Sequence, residues 1–444
     1  MTSTKTSQTS ESQPSESPSP PSGTSVIIVG AGFAGLTAAL ELSRKSIPVL
    51  LLEKSSTLSQ TLGDIISFGQ NSSRFFSKWP GVLARLEPII HKSTEFHFHD
   101  WKGKFVTTQS FVEEHEAWGS RVNGHRGEIH QILFQQASSQ PNISILLNQT
   151  VTSYSESETS ASVTTSSGHT FTADLILAAE GVRSRARSQI LGYDDHSRPT
   201  PSGYAVFRAW FPSSPLLASN PLTKHLVHPN GDTHNGWIGR DVHFLSASIK
   251  DGTEFSWVCT HADDAQIKES WQFPGSKEEA LRIVEGWDPV VQEIIKATPE
   301  DRLFDYKLVF RDPLPTFVSP EHGRIAVIGD AAHPFLPTSV QGASQAMEDG
   351  VVMAACLDHV AGKDRIQEAV KVWERIRYER VHAIQKTGVQ TREQWHKADW
   401  DAIWKDPESL HLKREGWILD FDAEKDTYER YEEVKKELEG EGKL

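Results

Sequence analysis

The chain has 444 residues and a formal net charge of −14, and hydrophobic residues make up 37% of the sequence. This length suffices for two to three domains with a substantial core. The acidic balance argues against binding to nucleic acid or to an anionic membrane surface, since both reward basic patches. The two cysteines, Cys259 and Cys356, cannot form a disulfide framework and indicate a reducing compartment.

The N-terminal residues predict no organised structure. Residues 1–24 are rich in Ser, Thr and Pro and lack the apolar centre of a signal peptide, so we predict a disordered tail. No apolar run in the sequence reaches the length needed to cross a bilayer. We therefore expect a cytoplasmic protein without an integral membrane segment, and the sequence leaves its oligomeric state open.

The first structured segment predicts a strand, a glycine-rich turn, a helix and a second strand. Val26 to Val29 form a continuous apolar run, which is typical of a central parallel strand. Residues 36–43 have the character of a helix, and Val49 to Leu52 form the second strand. Between the first strand and the helix, "GAGFAG" matches the G-x-G-x-x-G pattern of dinucleotide-binding folds.

Each glycine of this pattern has a separate physical task. Gly30 permits the tight turn, Gly32 allows a pyrophosphate to approach, and Gly35 allows close packing of helix and strand. Pyrophosphate would lie at the helix N-terminus, where free N–H groups and the helix dipole favour anions. Glu53, which ends the second strand, would accept hydrogen bonds from the adenosine ribose. The alternative, a glycine-rich turn without a ligand, is disfavoured by the complete unit around it.

The next segment contains a hairpin and a helix. "TEFHFHDWKGKFVTT" alternates around a Lys-Gly turn and predicts a β-hairpin. Its His97 and His99 could bind a metal, but no Cys or carboxylate cluster completes the set, so we predict no metal site. "HRGEIHQILFQQAS" predicts a helix with Arg126 just before it and Glu128 in its first turn. Strands then follow, ending in a buried strand over Leu175 to Ala179.

From about residue 200 to 315 the sequence is rich in β-strand patterns. The candidate strands are "GYAVFRAWF", "WIGRDVHFLSASI" and "FSWVCT". Everything after Gln341 is helical and charged. The acidic end of the chain predicts a solvated helix rather than a site.

A second ligand-facing turn lies in "GRIAVIGDAAHPFLPTSVQGASQAMEDG". Arg324 to Ile328 predict a buried strand, Asp330 lies at its carboxyl end, and a helix begins near Gln341. A simple NAD enzyme needs no second acidic turn so far along the chain, whereas FAD extends from the first turn to a distant strand end. Asp330 would hold the ribityl hydroxyls, and the N–H groups at Gly342 and Ala343 would face the flavin's pyrimidine edge.

These motifs resemble the class A, single-component flavoprotein monooxygenases, near the salicylate hydroxylase-like group and fungal relatives such as maackiain-detoxifying monooxygenase. The resemblance rests on "GAGFAG", on "DLILAAEGVRSRAR", on the GD-containing segment above, and on the late helix "VWERIRYERVHAIQKTG". Their order along the chain matches that of the family.

The resemblance implies an α/β fold with three parts. A discontinuous, Rossmann-type FAD-binding domain of the glutathione reductase kind carries an inserted β-rich substrate domain, and helices follow at the C-terminus. The implied FAD-binding segments are 25–90, 120–198 and 316–390, the substrate domain comprises 91–119 and 199–315, and the helical extension is 391–444.

The resemblance also implies an activity. FAD would be reduced by NADH or NADPH, and oxygen would then give a C4a-hydroperoxyflavin that passes hydroxyl to an activated aromatic ring. Arg126 would contact the flavin, and Pro337 would place its backbone near the flavin ring and the substrate. Three residues depart from the family pattern: Glu180 replaces the usual Asp, Val340 stands where many relatives have Gly, and Ser344 where many have Asn.

Two residues are candidates for substrate chemistry. Arg208 lies on a strand that the family uses to line the substrate cavity, and it could hold a phenolate or carboxylate. An exposed strand residue with a surface partner is an equally good interpretation. His243 falls roughly where relatives place a Tyr or His near the substrate, and it could take a phenolic proton. A packed, hydrogen-bonded structural histidine is the alternative.

We therefore predict an NAD(P)H- and FAD-dependent monooxygenase that hydroxylates a phenolic or heteroaromatic small molecule in secondary metabolism or detoxification. Epoxidation, dearomatisation or decarboxylative hydroxylation on the same fold stay open, as does a non-catalytic FAD-binding protein. Flavin-dependent halogenation is disfavoured because its W-x-W-x-I-P signature is absent from the sequence. An oxidase would be reduced by its substrate without NAD(P)H.

Overall fold

The structure, a computed structural model, describes residues 23–58, 65–192, 200–213, 215–228, 231–263, 273–310 and 314–444. Most of the predicted tail, residues 1–22, lies outside this description. The strands are, in chain order, β1 Val26–Val29, β2 Val49–Leu52, β3 Ile65–Phe68, β4 Glu95–Asp100, β5 Phe105–Ser110, β6 Val122–His125, β7 Ile143–Leu146, β8 Val151–Glu156, β9 Ala161–Thr165, β10 Thr170–Ala173, β11 Leu175–Ala178, β12 Thr200–Pro212, β13 His234–Gly239, β14 Val242–Ile249, β15 Glu254–Ala262, β16 Phe273–Pro274, β17 Leu303–Phe310 and β18 Ile325–Val327. The α-helices are α1 Phe33–Arg44, α2 Gln70–Phe76, α3 Val82–Leu86, α4 Val112–Trp118, α5 Arg126–Ser138, α6 Ala186–Gln189, α7 Pro215–Ser219, α8 Lys277–Ile283, α9 Pro289–Ala297, α10 Gly342–Val360, α11 Ile366–His396, α12 Trp400–Ile403, α13 Gly416–Leu419 and α14 Ala423–Gly440.

A five-stranded parallel sheet forms the first layer, with the order β18–β11–β1–β2–β7. Its central strand β1 pairs in parallel with β11 and β2 and is fully buried. Both faces of the sheet are covered, which explains the uninterrupted apolar run of this strand. Helices α1 and α10 cover one face, and the three-stranded antiparallel sheet β10–β9–β8 packs on the other.

The second layer is an eight-stranded sheet with the order β16–β17–β12–β15–β14–β13–β4–β5. Its strand pairs are antiparallel except for β13 and β4, which run parallel. One face packs on helices α8 and α9 through residues such as Val284 and Ile294. The opposite face lines the large cavity described below.

The predicted strands and helices at the two turns are confirmed, with local corrections. Helix α1 begins at Phe33, three residues before its predicted start, because the glycine-rich turn already includes its first turn. Helix α5 includes Arg126 as its first residue, whereas we expected this arginine just before the helix. The stretch "WIGRDVHFLSASI" is two strands rather than one. Gly239 pairs with Val242 across a two-residue turn in which Asp241 adopts a φ of 57°.

The two cysteines and the predicted hairpin also have clear positions. Cys259 and Cys356 are free and buried, and burial raises the pKa of both thiols. Strands β4 and β5 form the hairpin that the sequence predicted. Within the described ranges, none of the helices combines the length and the apolar character needed to cross a bilayer. The division into domains stays a prediction.

The C-terminal helix α14 is attached to the first layer by an ion-pair cluster around Glu424. Its carboxylate lies 2.8 Å from Nζ of Lys45 and also contacts Lys78. Burial alone would raise the pKa of Glu424, but the two lysines outweigh it and lower the pKa to about 2. A carboxylate with a depressed pKa stabilises the fold at neutral pH and loses this contribution as the pH falls toward that value.

We predict that Glu424→Gln lowers the free energy of unfolding by roughly 1 kcal/mol at pH 7, because a partly exposed ion-pair cluster is screened by solvent. The difference from wild type should shrink as the pH falls from 4.5 toward about 2. Denaturant unfolding between pH 7 and pH 3 measures this. Glu429→Gln is the matched control, because Glu429 is exposed on the same helix with its nearest partner Lys425 at 3.8 Å. An equal effect of both substitutions would contradict the prediction.

Candidate active site

The glycine-rich turn leaves open space only at Gly32. A Cβ at Gly30, where φ is 106°, would lie 2.4 Å from the carbonyl oxygen of Ala179. A Cβ at Gly35 would lie 2.0 Å from the carbonyl oxygen of Gly30. At Gly32 no atom lies within 4 Å of such a Cβ, and this residue precedes the first turn of α1. Packing therefore requires glycine at two positions, while the third leaves room for a ligand at the helix N-terminus.

Glu53 lies at the end of β2 and faces the same turn. Its carboxylate accepts a hydrogen bond from the N–H of Ala31 at 2.8 Å and another from the N–H of Ser55 at 2.8 Å. Each oxygen keeps a second lone pair, so the carboxylate can still accept from a ribose hydroxyl. His130 of α5 supports the turn from the other side, with Nε2 lying 2.6 Å from the carbonyl oxygen of Ala31. His130 was not among the residues predicted from the sequence.

Asp330 lies directly after β18, in a 3₁₀ turn over Gly329–Ala331. The residue is enclosed by protein on one side. On the other side, its side chain is exposed to the cavity. Burial raises the pKa of Asp330, against the opposing charges of His333 and Arg126. None of the other described side chains donates a hydrogen bond to this carboxylate. It is therefore available to the hydroxyl groups of a ligand.

Helix α10 presents its N-terminus to the same cavity. Gln341 precedes the helix without a side-chain cap, and Gly342 and Ala343 line the cavity. Pro337 begins the short 3₁₀ turn before it and also lines the cavity. Val340 ends that turn with φ at 54°, the left-handed region that favours glycine. Valine is strained in this conformation, which glycine would adopt without strain.

The two other departures from the family pattern have structural partners. Ser344 accepts hydrogen bonds from the N–H of Gly69 at 3.0 Å and from the hydroxyl of Ser72 at 2.8 Å, which fastens α10 to α2. Glu180 accepts from the hydroxyl of Ser184 at 2.8 Å and from backbone N–H groups at the start of α6. Its carboxylate therefore holds a local turn.

A cavity of about 460 Å³ joins the two layers. The predicted residues that line it are Gly32, Arg126, Asp330, Pro337, Gly342, Ala343, Arg208 and His243. Gly30 and Gly35 belong to the glycine-rich turn and Glu53 bonds to the N–H of Ala31 within it, but none of the three lines the cavity. The wall beyond the turns is largely aromatic and apolar, with Phe96, Trp257, Tyr306 and Trp395 among its residues.

The two predicted catalytic residues lie in this wall, on the large sheet. Arg208 is on β12, with its guanidinium 5.7 Å from the centre of the Tyr306 ring. His243 on β14 is buried, and its Nδ1 lies 2.7 Å from Nε2 of His396 at the end of α11. Burial and the neighbouring His396 lower the pKa of His243 well below its usual value. His243 is therefore neutral at pH 7 and a weaker base than a solvent-exposed histidine.

A group of polar residues at the cavity wall was missed by sequence analysis. Arg121 lies 3.7 Å above the Phe111 ring, and its Nη2 has no hydrogen-bond partner among the described residues. Burial and the nearby cation of Arg414 lower the pKa of Arg121, which is still a cation at neutral pH. His234 stacks on Phe96 at 3.9 Å, and burial lowers its pKa.

Asn123 is a further polar residue at this wall, and the sequence carries a weak signal for it, a polar residue inside a short strand. Strand β6 is buried along its whole length and yet carries Asn123, whose Oδ1 is unpaired within the described part of the chain. Buried polar groups without partners are uncommon away from functional sites. By contrast, nothing in the local pattern places Trp395 or Arg414 at the cavity, because their position depends on how the C-terminal chain folds back.

The histidines of the hairpin contact polar side chains of neighbouring strands. His97 bonds Thr108 at 2.8 Å, and His99 lies 3.4 Å from the side-chain oxygen of Asn235. Among the described residues, no three His, Cys, Asp or Glu side chains come together in a way that could hold a metal ion.

The site fits FAD by the shape and chemistry of its own residues. Two helix N-termini without acidic residues in their first turns face one cavity, and one of them begins at the open space beside Gly32. Anionic groups are favoured at such termini. The Asp330 carboxylate is available for hydroxyl groups between them, and Arg126 supplies a cation close by.

We predict that Gly32→Ala leaves the stability of the FAD-free protein unchanged but weakens FAD binding at least about tenfold, because the new methyl group enters the ligand space. Gly35→Ala should instead destabilise the fold by about 3 kcal/mol or more, since its methyl group would meet backbone. Thermal unfolding of the FAD-free protein and flavin fluorescence titration separate the two effects. Normal FAD affinity in Gly32→Ala would contradict the placement of the ligand.

The family comparison covers most of the chain. A family model described as an FAD binding domain matches residues 23–387. The chain is 34% identical over 428 residues to FAD-dependent monooxygenase nanF of Aspergillus nanangensis, which covers 94% of this chain and 91% of that protein. It is 34% identical over 436 residues to Asperlicin C monooxygenase of Petromyces alliaceus, with coverage of 94% and 91%.

Solved structures are similar over nearly the whole chain. The native crystal structure of FqzB has a TM-score of 0.85 at 33% identity and covers 96% of both chains. CtdE in complex with FAD and substrate 4 has a TM-score of 0.86 at 32% identity, covering 94% of this chain and 100% of that chain. A salicylate hydroxylase substrate complex is similar in fold, with a TM-score of 0.74 at 23% identity over 91% of this chain and 97% of that chain.

Proposed function

The chain belongs to the FAD-binding-domain family and is an FAD-dependent monooxygenase, and we propose on this basis that it uses NADH or NADPH to oxygenate a phenolic or heteroaromatic small molecule. Bound FAD supplies the activation of oxygen for this reaction. We further propose that the reaction belongs to secondary metabolism or detoxification, in line with the fungal monooxygenases to which the chain is similar.

One observation carries the proposal: a single cavity connects the cofactor-facing turns to an aromatic wall on the large sheet. Asp330 and the N-terminus of α10 lie on the cofactor side, and Trp257 and Tyr306 lie on the substrate side. A planar ring suits such a wall, because aromatic side chains contribute apolar area and ring contacts together. An apolar wall also keeps water from the reacting atoms.

The polar groups of the wall favour a substrate with an acceptor oxygen. Arg121 and Arg208 contribute guanidinium groups to the wall, and Asp330 is the only carboxylate among the described residues that line the cavity. The two arginines can hold a carbonyl, phenolate or carboxylate oxygen and orient the ring toward the cofactor side. His243 is neutral and can hydrogen-bond a substrate hydroxyl.

The nicotinamide cofactor has no second fingerprint in the sequence. "GAGFAG" is its only complete G-x-G-x-x-G dinucleotide pattern, and the FAD proposed above occupies it. We therefore propose that NAD(P)H binds transiently to the surface of the FAD-loaded protein.

The primary test measures NAD(P)H consumption by the purified, FAD-loaded protein against a panel of phenols, indoles and quinolines, with product masses recorded. The proposal expects at least one compound to accelerate NAD(P)H oxidation and to gain one oxygen atom. Flavin that NAD(P)H does not reduce would contradict the proposed reductant. Reduction by an aromatic substrate without NAD(P)H would indicate an oxidase instead.

Asp330→Ala should yield a folded protein that binds FAD at least about tenfold more weakly. The carboxylate would accept charge-assisted hydrogen bonds from the hydroxyl groups of FAD, and in the variant only water could accept them. Flavin content after gel filtration and FAD titration of the stripped protein measure this. Full FAD occupancy in the variant would remove Asp330 from the cofactor site.

Arg121→Gln and Arg208→Ala should each raise the KM for a stimulating substrate about tenfold or more, or uncouple NAD(P)H oxidation from oxygenation, while FAD affinity stays unchanged. The loss of a hydrogen bond from a charged donor has this size. Substrate-dependent NAD(P)H oxidation and hydrogen peroxide release give the two readouts. Arg240→Gln is the control, because 94% of the Arg240 side chain is exposed. Unchanged coupling and KM would exclude either arginine from substrate binding.

A further inference from the structure

We propose that Asp349 is a positioning residue that sets the Gly329–Asp330 turn in its FAD-binding shape before the cofactor arrives. The inference rests on the proposed role of Asp330 toward FAD. Asp349 lies in the middle of α10, outside the cavity, and no atom of it lines the site. It acts through the backbone of the turn.

The turn has one N–H group that depends on Asp349. Oδ2 of Asp349 accepts a hydrogen bond from the N–H of Gly329 at 2.8 Å, and both residues are buried. Gly329 adopts φ at 61°, and a Cβ there would lie 2.8 Å from the Cβ of Ala34. The turn is thus pressed against α1 in a conformation that only glycine adopts easily. Without the carboxylate, this buried N–H would lose its partner, which is costly.

The following residues of the turn are held by the same carboxylate and by an arginine. Oδ2 of Asp349 also lies 2.6 Å from Nε2 of His333, so this ring nitrogen donates. Nη1 of Arg187 donates to the carbonyl oxygens of Ala331 at 2.9 Å and Ala332 at 3.0 Å. Neither Asp349 nor Arg187 lines the cavity, whereas the Asp330 side chain does.

Asp349 is itself held in the ionised form. Nε of Arg377 donates to its Oδ1 at 2.8 Å, and both side chains are fully buried. Burial opposes ionisation, but His333 and Arg377 outweigh it, and the pKa of Asp349 lies below its usual value. The carboxylate therefore accepts on both oxygens, with a cation on one side and the turn on the other.

The neighbouring Glu348 provides a matched comparison. It is equally buried and pairs with the same Arg377 and with Arg380, whose Nε lies 2.8 Å away. Its other partners are Asn71 at 2.6 Å and Gln345 at 3.0 Å, and none of its contacts reaches the turn. Removing a charge at either position weakens the same buried cluster, but only position 349 touches the turn.

The test compares Asp349→Asn with Glu348→Gln in the full chain stripped of FAD. An amide has one acceptor oxygen, and the buried Arg377 cation competes for it more strongly than the neutral N–H of Gly329. We expect both variants to lose thermal stability, while only Asp349→Asn binds FAD at least about tenfold more weakly. Wild-type FAD affinity in Asp349→Asn, or an equal loss in Glu348→Gln, would overturn the proposal.

A measurement on the unmodified chain gives a second, independent test. Hydrogen–deuterium exchange resolved to the amide of Gly329 should show protection in the FAD-free protein, because Asp349 already holds it. Protection that appears only after FAD is added would mean that the cofactor orders the turn, and the proposal would fail.

The variant Asp330→Ala distinguishes the role of the Asp330 side chain from that of Asp349. If Asp330→Ala binds FAD normally while Asp349→Asn binds it weakly, the proposed contact between the Asp330 side chain and FAD is wrong. The positioning role of Asp349 is then still supported, because Asp349 acts on the backbone of the turn. If both variants bind FAD weakly and Glu348→Gln does not, both proposals are supported.

Discussion

The site depends on how closely α10 lies against α1. A Cβ at Gly350 would lie 2.6 Å from the backbone nitrogen of Ala38, so the two helix backbones are nearly in contact there. This approach brings both helix N-termini to one edge of the parallel sheet, where each can face an anionic or electron-rich part of the same ligand. The Gly329–Asp330 turn also lies close to α1, since a Cβ at Gly329 would lie 2.8 Å from the Cβ of Ala34.

Within this close packing, the side chains of Glu348 and Asp349 of α10 are fully buried. Burying an ion pair is expensive unless geometry and further hydrogen bonds compensate, so a buried cluster is weak evidence for added stability. Here the buried acids Glu348 and Asp349 share Arg377, and Arg380 and His333 complete the set. Apolar residues at these positions could stabilise the fold more. We therefore interpret the charged cluster as a means of fixing one geometry of the Gly329–Asp330 turn.

The sequence assigns more residues to the cofactor side of the cavity than to the substrate side, and the roles of these residues stay predictions. Gly30, Gly35 and Asp330 could be assigned from the sequence because each assignment depends only on its neighbours in the chain. Gly30 permits a tight turn, Gly35 permits close packing of helix and strand, and Asp330 follows the end of a strand. The fold class and the FAD-dependent oxygenase class that followed from them are confirmed by the family match and the similar structures.

The substrate half could not be placed in the same way because it is built from residues distant in sequence. The partner of His243 is His396, which lies 153 positions away, and periodicity contains no information about such a pairing. The turn between β13 and β14 was not predicted for a different reason. Asp241 adopts the left-handed conformation there, and the sequence has no glycine at this position that would have indicated a turn.

The C-terminal chain supplies the remaining wall of the cavity. Trp395, Leu412 and Arg414 line the cavity, and Gln109 holds Leu412 in place through two hydrogen bonds of 2.9 Å. All three lining residues lie beyond position 387, where the match to the FAD-binding family ends. Residues 397–422, which include Leu412 and Arg414, can therefore vary to admit a differently shaped molecule while α14 keeps its ion pairs with the first layer, and exchanging this segment between related proteins is the corresponding route in the laboratory.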